Sequence, residues 1–269
     1  MHYQLSFLSV YLGGKPKNVI LFGETGVGKS SVINLMAGKE IAEVSANLNG
    51  CTLTATEYWF GLSEDVSLRI FDTIGLEEPE IGINTFMGAM EKAHRLVRSL
   101  HYSGGIDLLL FCIRGGRITT AMQRNYRLFF EILCGSQVPV AIVITNLEQE
   151  NVMEDWWVKN EKRFREYGID PIAHACITAV PSRVTMYAQK RAQSQKALRD
   201  MLLDTLTNSK PAYMRDIRSW FSAIIQMLRS FLAKTESLKK KDLIKKLERR
   251  CMLPRSDAEK LAHILTGAE

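Results

Sequence analysis

Gly23-Glu24-Thr25-Gly26-Val27-Gly28-Lys29-Ser30 matches the pattern GxxxxGK[ST] without a defect. Each residue type answers a physical need. Glycines let the backbone wrap until consecutive N–H groups point inward at phosphate oxygens. The helix that opens at the end of the pattern adds the partial positive charge of its N-terminus. Lys29 reaches the β- and γ-phosphates, and the Ser30 hydroxyl is a ligand for Mg²⁺. Residues Gly23 to Ser30, with Ser31 immediately after, form the expected nucleotide-phosphate set.

The context on both sides agrees. Asn18–Phe22 (NVILF) is a short apolar run of β-formers ending at glycine, which reads as a buried parallel strand. Ser30–Ala37 reads as a helix closed by Gly38. Further along, Tyr58–Gly61 and Ser67–Asp72 are two strands joined by a polar turn, and Phe86–Leu100 has helical periodicity. Strands at Asp107–Ile113, Val138–Thr145 and Ile172–Ile177 then alternate with helices at Met122–Leu133, Asp155–Tyr167 and Gln189–Leu206. Such alternation predicts an α/β fold of three layers, a mostly parallel sheet with helices on both faces, followed by a helical C-terminal extension. The expected divisions are an N-terminal segment 1–16, a nucleotide-binding domain 17–209 and a helical extension 210–269, with Pro211 at the boundary.

A second phosphate-side element is Asp72-Thr73-Ile74-Gly75, ending the predicted strand 43 residues after Lys29. An acid in that place holds Mg²⁺ through a water, and Gly75 lets its N–H approach the γ-phosphate. The expected metal ligands are therefore Ser30 and Asp72.

GETGVGKS followed by DTIG resembles the translation-factor-related P-loop GTPases. It looks most like the branch of septins, chloroplast-import (Toc) receptors and immunity-associated (GIMAP) GTPases. The stretch Phe111-Cys112-Ile113-Arg114-Gly115-Gly116-Arg117 is similar to that of stand-alone fungal G-domain proteins. The resemblance covers about Lys17 to Leu206. It implies a G domain that binds GTP or GDP with Mg²⁺. It also implies a switch I threonine closing on the metal, for which Thr52, Thr54 and Thr56 are candidates. Thr52 is preferred, because it leaves room for the strand beginning near Ala55. Lys29, Thr52 and Gly75 are then the residues expected to carry the chemistry.

Two departures from the class matter. The class reads guanine with [N/T]KxD, and here the position carries Thr145-Asn146-Leu147-Glu148. Thr145 fits, Asn146 replaces a lysine that packs on the base, and Glu148 is one methylene longer than Asp. A carboxylate accepting two hydrogen bonds still selects guanine over adenine, so guanine preference with weakened affinity is expected. The class's fifth motif falls near Ala175-Cys176-Ile177-Thr178. Many small GTPases also place a water-orienting glutamine directly after DxxG; here that residue is Leu76, with Glu77 and Glu78 next to it. Slow intrinsic turnover follows, unless a second protomer supplies a polar group such as Arg114 or Arg117 across a G-domain homodimer. An ATP-dependent P-loop phosphotransferase and a nucleotide-binding scaffold that never hydrolyses are the alternatives.

Composition sets the remaining bounds. The 269 residues carry a net +6, but eight basic and three acidic residues lie between Lys234 and Arg250, so that segment holds +5 of it. A basic tail is not a basic domain, and no nucleic-acid partner is expected. Five scattered cysteines with no CxxC pair fit a reducing, cytoplasmic setting and argue against a zinc site or a disulfide framework. Neither a signal peptide nor a membrane span is expected. Within 218–250, one apolar helical face (Trp220, Phe221, Ile224, Leu228, Phe231) backs onto the basic run. It either docks on a partner helix or the G domain, or lies on an anionic membrane surface. Trp156-Trp157 at a helix start reads as packing rather than a base-stacking platform. His94, His101 and His174 share no ligand spacing.

Overall fold

The computed structural model describes residues 15–42, 56–73, 98–181, 184–208, 211–214 and 255–266, with a few single positions between 96 and 248. Its strands are β1 (Lys17–Phe22), β2 (Thr56–Gly61), β3 (Ser67–Asp72), β4 (Leu108–Arg114), β5 (Val140–Thr145) and β6 (Ala173–Cys176). They form one six-stranded sheet in the order β2-β3-β1-β4-β5-β6. All neighbours run parallel except the hairpin pair β2 and β3. The α/β, mostly parallel sheet read from the sequence is therefore the observed one, and the predicted hairpin lies at its edge.

The strands at the centre are apolar on both faces because both faces are covered. Every residue of β5 is buried, as are six of the seven in β4. The period of two sorts them into two cores. Ile20, Phe22, Phe71, Phe111, Ile142 and Ile144 point to one side. Val19, Leu21, Ile70, Leu110, Cys112 and Val143 point to the other. On the second side lie α1 (Lys29–Ala37) and α4 (Ala188–Thr207), whose buried faces include Val32, Ile33, Leu198 and Leu202. On the first side lie α2 (Thr120–Tyr126) and α3 (Asp155–Glu166). There Phe22 stacks on Phe111 at 4.7 Å and meets Phe129 at 4.5 Å between ring centroids.

Two details depart from the sequence reading. The expected helix over Met122–Leu133 starts earlier, at Thr120, and widens into a π-helical turn at Arg127–Leu133, where the Cys134 N–H reaches back five residues to Phe129 O. A hydrophobic period cannot distinguish the two pitches over seven residues. The helix expected to end at Leu100 runs on through residue 103; most of its predicted length lies outside the described residues.

The chain after α4 returns to the sheet. Tyr213 and Ile106 exchange two backbone hydrogen bonds of 2.8 Å. The last helix, α5 (Arg255–Thr266), buries Ala258 and Ala262 completely in the first core. Among the described residues no helix is long and apolar enough to cross a membrane.

Candidate nucleotide site

The C-terminal ends of β1, β3, β4 and β5 converge on one edge of the sheet, which is where open α/β sheets bind ligands. Sheet register fixes the arrangement: Leu21 lies opposite Asp72, and Arg114 opposite Thr145. Elements distant in sequence thus deliver the glycine-rich loop, the acid of DTIG and the loop after β5 to the same edge.

The phosphate loop is shaped by glycine. Gly23 has φ 147°, and a Cβ there would lie 2.0 Å from the carbonyl oxygen of Cys112. Only glycine lets β1 turn while touching the end of β4. Gly28, at φ 96°, immediately precedes α1. That helix begins with no side-chain cap and no acid in its first turn, so its positive end is left for an anion. Lys29 is buried, and its ammonium donates to Gly23 O at 2.5 Å and to Glu24 O at 3.2 Å. The charge therefore sits over the mouth of the loop rather than in solvent.

Ser30 and the fully buried Asp72 supply hard oxygen donors, a hydroxyl and a carboxylate, at the ends of α1 and β3. That donor set fits Mg²⁺, which keeps most of its shell as water and phosphate oxygen, and does not fit a thiophilic ion. Among the described residues no group of three or more His, Cys, Asp or Glu forms a separate metal cage. Thr73 ties this strand end to the phosphate strand, its N–H and hydroxyl both reaching Leu21 O at 3.3 and 3.1 Å. Thr52 and Gly75 lie outside the described residues.

The loop expected to read the base leaves β5 at Thr145. The Thr145 hydroxyl lies 2.7 Å from Val27 O, inside the phosphate loop, and 3.1 Å from Ile113 O. One side chain thus joins the two halves of the site. Asn146 is exposed at φ 63°, a left-handed conformation that asparagine tolerates better than most residues. Leu147 turns inward and is buried. Glu148 is half-buried, and the Thr178 hydroxyl donates to its Oε2 at 3.1 Å. The generic fifth-motif stretch thus contributes one residue, Thr178, that orients the acid, and its proximity could not be read from the sequence.

Phosphate loop and the Arg114–Arg117 turn enclose a cavity of about 300 Å³, floored by Phe111, Ile113 and Met122. Glu24 accepts a hydrogen bond from the Thr119 hydroxyl, which also accepts the Met122 N–H at 2.9 Å and so caps the start of α2. Arg114 and Arg117 are exposed beside it.

Other candidates are structural. Trp156 and Trp157 are buried in the first core, and Trp157 stacks on His174 at 4.6 Å. His174 also pairs with Glu154. The Cys176 thiol is pushed up to about 12, first by burial and then by the nearby Glu154 charge, so it is no nucleophile at neutral pH.

Comparison with known proteins agrees with this geometry. Residues 18–146 match the family described as 50S ribosome-binding GTPase. The "Translocase of chloroplast 34 homolog, chloroplastic" of Chlamydomonas reinhardtii is 36% identical over 109 residues, covering 38% of this chain and 26% of that protein. "Immune-associated nucleotide-binding protein 7" of Arabidopsis thaliana is 25% identical over 129 residues, covering 48% of this chain and 40% of that protein. The chain therefore spans between a quarter and two fifths of the length of these relatives. Among solved structures, Era in complex with MgGDPNP and nucleotides 1506–1542 of 16S ribosomal RNA shares the fold. It has a TM-score of 0.51 and 16% identity, over 83% of this chain and 69% of that one. The chain carries, over residues 18–146, a P-loop GTPase domain of the translation-factor-related class, related to the chloroplast-import receptors and the immune-associated nucleotide-binding proteins.

Proposed function

We propose that the protein binds Mg²⁺–GTP, hydrolyses it slowly and uses the difference between its GTP and GDP states as a switch for protein association. The observation that carries this reading is the joining of the two half-sites through Thr145. The Val27 carbonyl beside the phosphates and the Glu148 loop beside the base are held in one frame. The loop N–H groups and Lys29 bind the phosphates. Glu148, with Oε2 held by Thr178, accepts from the guanine edge. Bound Mg²⁺ supplies charge neutralisation at the β- and γ-phosphates, with Ser30, Asp72 and Thr52 as its ligands. Thr52 and Gly75 are the residues that would sense the γ-phosphate. Leu76, in the place of a water-orienting glutamine, leaves the attacking water without a side-chain guide, hence slow turnover.

The exposed Arg114 and Arg117 flank the phosphate loop, which supports a homodimer through the G domains in which one protomer's arginine meets the other's phosphates. Positive charge concentrated at 234–250 supports a tail that meets an anionic membrane surface or a partner helix, and no nucleic acid at the G domain. Residues 17–209 are then the G domain and 210–269 its appended helices. Scattered cysteines, with Cys112, Cys134 and Cys176 buried and in no disulfide among the described residues, support a cytoplasmic location.

Calorimetric titration with GTP, GDP and ATP, with and without Mg²⁺, tests the core of the reading. Mg²⁺-dependent GTP binding, with ATP bound much more weakly, is expected. Equal ATP binding would remove the guanine switch and favour the ATP-dependent phosphotransferase. Tight GTP binding with no single-turnover hydrolysis would leave a scaffold.

A further inference from the structure

The acid assigned to the guanine edge is braced from a helix forty residues away in sequence. Lys190, in the first turn of α4, donates its ammonium to Glu148 O at 2.8 Å and to Glu150 O at 2.5 Å. One turn later, Ser194 is fully buried. Its hydroxyl donates to Lys190 O at 2.7 Å and accepts the Thr178 N–H at 3.0 Å. Residues spaced by four lie on one helix face, so a single face of α4 holds both parts of the base site. Lys190 fixes the backbone on either side of Gln149, and Ser194 fixes the residue that orients the Glu148 carboxylate. Gln149 itself donates to the Tyr187 hydroxyl at 2.6 Å, just before the same helix.

The loop needs such a brace. It opens with Asn146 in a left-handed conformation, exposed, where the class carries a lysine that packs on the base. It also presents a longer acid, which has one more rotatable bond to fix. Two charge-assisted hydrogen bonds from one half-buried ammonium are strong enough to fix a loop of this length. We infer that Lys190 and Ser194 are positioning residues for guanine recognition, setting base specificity by holding Glu148 and Thr178 from α4. This rests on the reading of Glu148 as the base-reading group.

The test uses the full chain and measures affinity for Mg²⁺ complexes of GTP, inosine triphosphate and ATP, together with thermal melting. Lys190→Met should weaken GTP binding about tenfold, the scale of a lost charged hydrogen bond, while ATP affinity moves by less than about twofold. Lys190→Arg, which keeps two donors, should restore most of the GTP-over-ATP preference. Ser194→Ala should act in the same direction with a smaller effect, and it carries the test if Lys190→Met does not fold. Inosine triphosphate, lacking the exocyclic amine, should lose less than GTP. Parallel losses for GTP and ATP, or a lowered melting point with the preference intact, would mean that α4 merely supports the fold, and the inference fails. Glu148→Ala separates the two levels. If it abolishes the preference while Lys190→Met does not, only the brace is wrong. If Glu148→Ala leaves the preference unchanged, base reading itself is wrong and the brace with it.

Discussion

The proposed phosphate half and the proposed base half of this site are built on opposite principles. The phosphate half is local: eight consecutive residues form a cradle suited to one anion, and a helix that starts inside the motif completes it. The base half is assembled: Thr145, Glu148, Thr178, Lys190 and Ser194 come from β5, two loops and α4. A backbone cradle tolerates almost no change in its glycines and its lysine. An assembled site has more ways to satisfy the same geometry, which is why Asn146 and Glu148 can depart from the common pattern.

Removing the phosphate charge should have the largest effect. Lys29→Ala should weaken both GTP and ATP by about a hundredfold or more, the loss of charged hydrogen bonds to two phosphates; calorimetry checks it. A loss confined to GTP would mean the halves are not organised as described. Next comes the shape of the cradle. Gly23→Ala places a Cβ 2.0 Å from the Cys112 carbonyl at a φ hostile to side chains. It should cost about 2–4 kcal/mol of stability, seen in denaturant unfolding without nucleotide.

The link between the halves is the third test. Thr145→Val keeps the volume but removes the hydroxyl 2.7 Å from Val27 O. About 1–3 kcal/mol of stability should be lost, with weaker binding of GTP and ATP alike; weaker GTP alone would show that Thr145 serves only the base. The smallest expected effect sharpens the comparison from the other side. Asn146→Lys returns the lysine of the common pattern to an exposed left-handed position. GTP affinity should rise only about two- to fivefold, because packing gained on the base is partly offset by the backbone cost of a lysine at positive φ. A much larger gain, measured in the same titration, would mean the brace from α4 contributes little.

How much the sequence reveals follows the same division. The phosphate loop can be read because its residues are contiguous and its glycines answer a backbone need. β4 and β5 can be read because strands covered on both faces must be apolar. Trp156 and Trp157 can be placed in a core from their position at an amphipathic helix. Lys190 and Ser194 cannot be read, since two polar residues on a helix look like any solvated face until the loop they hold is seen. The π-helical turn at 127–133 leaves no trace because its apolar spacing also suits an α-helix. Thr52, Gly75 and most of 218–250 lie outside the described residues.

Two alanines at the far end of the chain carry a practical lesson. Ala258 and Ala262 are small enough for α5 to press its backbone against the core beneath, and both are completely buried there. Small residues on a helix add little apolar area of their own; what they provide is closeness, and with it a roof over larger neighbours. The segment matching the GTPase family is thus not a cassette to be cut out at its boundaries. A fragment trimmed after α4 would bare part of the first core to water, inviting aggregation for reasons unrelated to nucleotide chemistry.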